Sequence, residues 1–246
     1  MNPATPTPAL TTDLAEMRLA LETRALLHRR AEGILEFSTA AERMDESAFM
    51  QHGLELAQEL TGSQIAFIHL VHDDQETIEL VNWSRSTLEN YCKAAFDRHY
   101  PVSQAGIWAD ALRQRVPVVI NDYAGATGKH GLPEGHARLD RLISVPVIEG
   151  GLVRMMAGVG NKAAPYTDLD VETVRLVSET VWRIVGQRRA AAALRASEER
   201  HRLLADNASD VIWTMNLQGQ FTYVSPSVEW LRGYTSAEVM QQTLDQ

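Results

Sequence analysis

The stretch Ile143-Ser144-Val145-Pro146-Val147-Ile148-Glu149-Gly150-Gly151-Leu152-Val153-Arg154-Met155-Met156-Ala157-Gly158-Val159-Gly160 decides the fold. Two apolar runs rich in β-branched residues flank a glycine pair. Glycine reaches the positive backbone angles of a two-residue hairpin turn without steric cost, so the stretch reads as two antiparallel strands joined at Gly150-Gly151. Upstream, Gln64 to Val71 reads as a largely buried strand. Asp73-Asp74-Gln75 is its turn, and Thr77 to Val81 alternates as its hairpin partner. Pro117-Val118-Val119-Ile120-Asn121 is a short strand opened by proline.

Helical spacing surrounds these strands. Thr12 to Ala41 contains no proline and one glycine, with Leu14, Met17 and Leu21 starting a three–four seam that Arg24 and His28 interrupt. Asp45 to Leu60 predicts a second helix, stopped at Thr61-Gly62, and Ser86 predicts the cap of a third reaching about Phe96. Gly106 to Gln114 predicts another. Asp168 predicts the cap of a long helix ending near Asn207, with Val174, Val177, Val181 and Ile184 on one seam. Beyond Asp210 the strand period returns in Val211 to Met215 and Phe221 to Val224. The pattern predicts an α+β fold: an antiparallel sheet with helices on its faces, flanked by long helices. The last hairpin is too short to close a sheet, which predicts that it opens a larger domain.

The chemistry of the chain narrows its class. A formal net charge of −9 over 246 residues opposes general nucleic-acid binding. One cysteine, Cys92, excludes an internal disulfide, and no apolar run approaches the length of a membrane span. Met1 to Pro8 has no signal-peptide pattern, which predicts a cytoplasmic protein. Cys92, His99, His130 and His136 have no close metal-ligand spacing, so no metal is expected. Gly158-Val159-Gly160-Asn161-Lys162 lacks the spacing of a phosphate loop, and Ser144 lacks a nucleophile elbow. No catalytic set emerges, so the chain is expected not to be an enzyme.

His99-Tyr100-Pro101-Val102-Ser103, Ala105-Gly106-Ile107-Trp108-Ala109-Asp110 and Pro117 to Tyr123 resemble the GAF family, in the subgroup of bacterial sensor histidine kinases and diguanylate cyclases. Gly131-Leu132-Pro133-Glu134-Gly135-His136, Arg141 to Pro146 and Gly158 to Lys162 continue that likeness in order. The tail, from Ser197 to Leu204, Asp210 to Trp213, Tyr223 to Ser227 and Leu231 to Tyr234, resembles the start of a PAS domain. The organisation implied is a disordered tail at 1–11, an N-terminal signalling helix at 12–41, a GAF domain at 42–188, a linker helix at 189–207 and a partial PAS domain at 208–246.

A GAF likeness implies a cup for a small molecule, with the long loop 122–141 closing it. Trp108, Asn121, Asp122, Tyr123, Pro133, His136 and Arg141 are its candidate ligand-binding residues. Asn121 offers an amide, Asp122 an anionic acceptor and Tyr123 a phenol on an aromatic plate. Equally, Asn121 and Asp122 fit a strand terminus that bonds the next backbone turn. His136 and Arg141 fit an anionic ligand, and Arg141 equally fits a clamp on Asp122 or Asp140. The ligand or cofactor is not named by these residues. The implied role is sensory: ligand state passes through a parallel homodimer of helices to a kinase or cyclase output. The alternative is a ligand-free dimerisation or spacer module.

Overall fold

The computed structural model describes residues 8–90, 99–129 and 138–242. Leu142–Glu149 (β5) and Leu152–Gly160 (β6) form the hairpin, with Gly150 and Gly151 at φ 60° and 77° in the two-residue turn between them. Ile65–Val71 (β1) pairs with β6 on one side and with Thr77–Trp83 (β2) on the other. The short strands His99–Pro101 (β3) and Val118–Ile120 (β4) complete an antiparallel six-stranded sheet of order β3-β2-β1-β6-β5-β4. Strands β1 and β6 lie at its centre with β5 beside them, in line with their near-continuous burial.

Side chains alternate across this sheet and build two cores. Ile68, Ile143, Val145, Met155 and Val159 face a helical layer. That layer holds the end of Pro8–Ala40 (α1), Glu46–Thr61 (α2) and the first half of Asp168–Asp206 (α5). Phe37 of α1 stacks on Phe49 of α2 with ring centroids 4.3 Å apart. Asp45 caps α2 by accepting from Ala48 N at 2.8 Å, and Gly62 ends it in a left-handed conformation. The opposite face carries Ile65, Phe67, Leu142, Val153 and Met156 beneath a second apolar cluster.

Three local expectations are corrected. Arg85–Asn90 (α3) starts before Ser86, whose hydroxyl instead meets the Gln58 side chain at 2.8 Å; residues 91–98, including Cys92, lie outside the described residues. The segment expected to be helical from Gly106 is a 3₁₀ turn, Ile107–Ala109, followed by Asp110–Gln114 (α4). Thr167, not Asp168, flanks the first turn of α5: its N–H donates to Asp170 Oδ2 at 2.8 Å, one half of a capping box.

The chain forms two compact units that meet between Val185 and Gly186 in the sequence. The second unit contains the last part of α5, the hairpin Trp213–Met215 (β7) with Phe221–Val224 (β8), and the short helices Ser227–Arg232 (α6) and Ser236–Val239 (α7). No described helix is long and apolar enough to cross a membrane.

Candidate functional site

The sheet face opposite the helical layer is aromatic. Trp108, carried by the 3₁₀ turn, stacks on the buried His69 with centroids 4.5 Å apart and planes at 26°. Phe67 meets Trp108 and Trp83 edge-on at 6.0 and 5.8 Å. Such mixed stacked and edge-on geometry suits the ring quadrupoles. Gly158, paired with both Phe67 and Ser144, leaves the space that the Phe67 ring occupies: a Cβ there would sit 2.3 Å from the ring and 2.6 Å from the Ile143 carbonyl. Arg113 holds the turn that presents Trp108, donating to the carbonyls of Val102, Ala105 and Gly106 at 2.8, 2.5 and 3.0 Å. Nothing in the sequence singled out Arg113, because these partners are backbone atoms.

Two buried hydroxyls on this face have no hydrogen-bond partner among the described residues. Tyr123 is 5% exposed and belongs to the aromatic-face cluster; burial raises its phenol pKa, and its Oη is unpartnered. Ser144 is 0% exposed, and its Oγ is likewise unpartnered. Its neighbours Ile143 and Val145 point to the helical layer, so alternation places Ser144 on the aromatic face with Leu142. An unmade hydrogen bond on a buried hydroxyl costs about 1–3 kcal/mol, so native proteins rarely keep one without a use.

The other predicted residues lie elsewhere. Asn121 is exposed, and its amide is engaged with the backbone of Tyr166, donating to the carbonyl at 3.1 Å and accepting from the N–H at 2.6 Å. Both ends of its amide are therefore taken up by backbone rather than offered to a ligand. Asp122 is exposed too, and accepts from Gly125 N at 3.0 Å in a local turn, the strand-terminus arrangement. Arg141 clamps neither Asp122 nor Asp140: it donates to the Lys162 carbonyl at 3.0 Å, while Asp140 pairs with Arg138 at 3.3 Å. Pro133 and His136 lie outside the described residues.

A family model described as a GAF domain matches residues 43–185, more than half of the chain. The chain belongs to the GAF family. It is also similar in sequence to a methyl sulfide methyltransferase-associated sensor of Methanosarcina acetivorans, 29% identical over 188 residues. That match covers 74% of this chain and 18% of the relative, so the chain spans about a fifth of that curated protein's length. Among solved structures, the GAF domain of a phosphoenolpyruvate-protein phosphotransferase (ptsP) from Coxiella burnetii aligns with TM-score 0.55 at 10% identity, covering 67% of this chain and 96% of that one. The Acinetobacter phosphoenolpyruvate-protein phosphotransferase GAF domain aligns with TM-score 0.53 at 10% identity, over 66% and 95%. The A. aeolicus nlh2 GAF domain in an inactive state gives 0.51 at 14% identity, over 66% and 99%. These likenesses establish the fold.

On its helical side this GAF domain holds a polar chain that sequence reasoning missed. The buried Tyr166 hydroxyl meets Ser63 Oγ at 2.8 Å, and Ser63 meets Thr61 at 2.7 Å. Lys162 Nζ pairs with Asp170 at 2.7 Å, where Asp170 is buried at the first turn of α5. Burial lowers the pKa of Arg30, while Asp170 and Glu172 act in the opposite sense. The Thr167-x-x-Asp170 spacing was readable as a cap; its pairing with Lys162 was not. Burial pushes the Tyr166 phenol up to about 12. The folded state thus holds this proton beyond the ordinary tyrosine value, so its contribution is complete below about pH 10 and is lost as pH rises from there towards about 12. Urea titrations at pH 9 and 12 should show the native chain losing about 2 kcal/mol more than Tyr166→Phe across that window; equal losses would contradict the assignment.

Proposed function

We propose that this chain is the sensory part of a signalling protein, whose GAF domain binds a small molecule on the aromatic face between Trp108, Tyr123 and Ser144. The carrying observation is the pair of buried, unpartnered hydroxyls, Tyr123 Oη and Ser144 Oγ, on one aromatic face. A ligand's polar groups would supply the missing partners while its apolar body lies on the rings, the usual division of labour in a small-molecule site. The sensor name of the Methanosarcina relative supports the class of function. In this reading α5 carries the state of the site towards an output domain, a histidine kinase or a diguanylate cyclase, and the chain itself performs no catalysis. Exposed Met17 and Leu21 on α1, and Leu194, Leu203 and Leu204 on α5, supply apolar surface for a parallel homodimer. The hairpin from Trp213 to Val224 belongs, in this reading, to a PAS domain, and it leaves Trp213, Trp230 and Tyr234 exposed.

A second reading has its own support: Phe67, His69, Trp83 and Trp108 pack on one another, and the Asn121 amide is already bonded, as in a spacer module that binds nothing. Thermal melts across a panel of purified metabolites separate the two readings. A ligand should raise the wild-type melting temperature by mass action and leave Tyr123→Ala unshifted. A loss of about 3–5 kcal/mol in Tyr123→Ala, with no compound shifting the wild type, would favour the spacer.

A further inference from the structure

Asn121 and Asn161 use their side-chain amides in the same way, at the two feet of the segment 122–141. Asn121 stands at the first foot of the segment 122–141 and brackets the Tyr166 backbone with both ends of its amide, at 3.1 and 2.6 Å. Asn161 follows β6 with φ 61°, a left-handed conformation that asparagine tolerates better than most residues. Its amide turns back to the second foot, donating to the Arg138 carbonyl at 2.7 Å and accepting from Asp140 N at 2.8 Å. The two feet are tied to each other by Tyr123 N donating to the Asp140 carbonyl at 3.0 Å. Tyr166, the partner of one amide, and Asn161, the owner of the other, therefore lie in one short connection, 161–167, which leads directly into α5.

That connection is hydrogen-bonded to the helix as well as to the two feet. Lys162 Nζ reaches both carboxylate oxygens of Asp170, and Thr167 N and Oγ1 donate to Asp170 Oδ2 at 2.8 and 3.0 Å. Asp170 and Val171 N–H groups in turn donate to the Thr167 carbonyl at 3.0 and 3.2 Å. We infer that Asn121 and Asn161 are the two pins of a joint that couples the neck formed by residues 121–123 and 138–141 to the first turn of α5. A displacement of the neck, where Tyr123 sits, is passed to the helix through the amide of Tyr166 and the carboxylate of Asp170 rather than through the sheet. Neither asparagine needs to touch a ligand for this role. The coupling is a property of the fold and does not depend on what the aromatic face binds, so its test uses the purified chain with nothing added.

Amide hydrogen exchange of the whole chain reads the joint. Asn121→Ala should accelerate exchange at Tyr166, and also at Asp170 and Val171, by about tenfold, the ratio given by losing one to two hydrogen bonds. Exchange at Val145 and Val147 in the sheet should stay within about twofold of wild type. Asn121→Asp keeps the acceptor for the Tyr166 N–H and loses the donor, so it should fall between the two. Asn161→Gly keeps the left-handed backbone and removes only the second amide; it should accelerate Asp170 and Val171 as well, and it serves as the test if Asn121→Ala does not fold. Acceleration confined to Tyr166, or acceleration spread equally into β5, would overturn the joint: the first leaves a local bond, the second a general loss of stability.

Discussion

Gly158→Ala should lower the unfolding free energy by about 3 kcal/mol, the upper range for overpacking a well-filled core. The added methyl would overlap the Phe67 ring on one side and the Ile143 carbonyl of the neighbouring strand on the other. A ring can turn; a carbonyl inside a strand ladder cannot move without breaking the pairing of β5 with β6. The expected response is a lower urea midpoint together with a changed near-ultraviolet signal from Trp83 and Trp108, both of which pack on Phe67. Gly186→Ala is the contrast. Its Cβ would meet nothing within 4 Å and it lies inside α5, so the same substitution should stabilise by up to about 1 kcal/mol. Equal effects at the two glycines would contradict the packing described for the aromatic face.

Asp170→Ala should cost about 3–5 kcal/mol, as for removing one partner of a buried ion pair. Three donors lose their acceptor at once: Lys162 Nζ, Thr167 N and Thr167 Oγ1. The buried Arg30 also loses one of the two anions that act against its desolvation, Glu172 being the other. The first turn of α5 loses an acidic residue where the helix dipole favours one. Glu172→Ala provides the comparison, because its pair with Arg175 is exposed and should be worth at most about 1 kcal/mol. Chemical denaturation of both variants measures the difference; a loss below about 1 kcal/mol in Asp170→Ala would show that the Lys162–Asp170 pair is solvated.

The sheet was legible because its signals are local. The glycine pair at 150–151, the alternation of Thr77 to Val81 and the proline before β4 each depend on a few neighbouring residues. The length of α5 was legible for the same reason. The site was legible only in part. Trp108 and Tyr123 entered as candidates through the GAF likeness, and both are buried in the cluster on the aromatic face. Asn121, Asp122 and Tyr123 are consecutive, and the strand period stops at Ile120, so nothing local distinguishes the buried one from the two exposed ones. What sets Asn121 is Tyr166, 45 residues away. Ser144 was passed over because a small polar residue in an apolar run resembles filler; only the absence of a partner in three dimensions makes it notable. Gly106 to Gln114 looked helical by composition, yet Arg113 draws the preceding carbonyls onto its guanidinium and holds a 3₁₀ turn there.

The native mass spectrum of the wild-type chain beside Tyr123→Phe/Ser144→Ala tests ligand binding at the aromatic face. The double substitution deletes both unpartnered hydroxyls with little change of shape, so the variant should fold with a melting temperature at or above that of the wild type. The wild type should carry a bound small molecule that the variant lacks. A variant that retains the same bound mass in the same proportion, or a wild type that carries none while the variant melts lower, would contradict it.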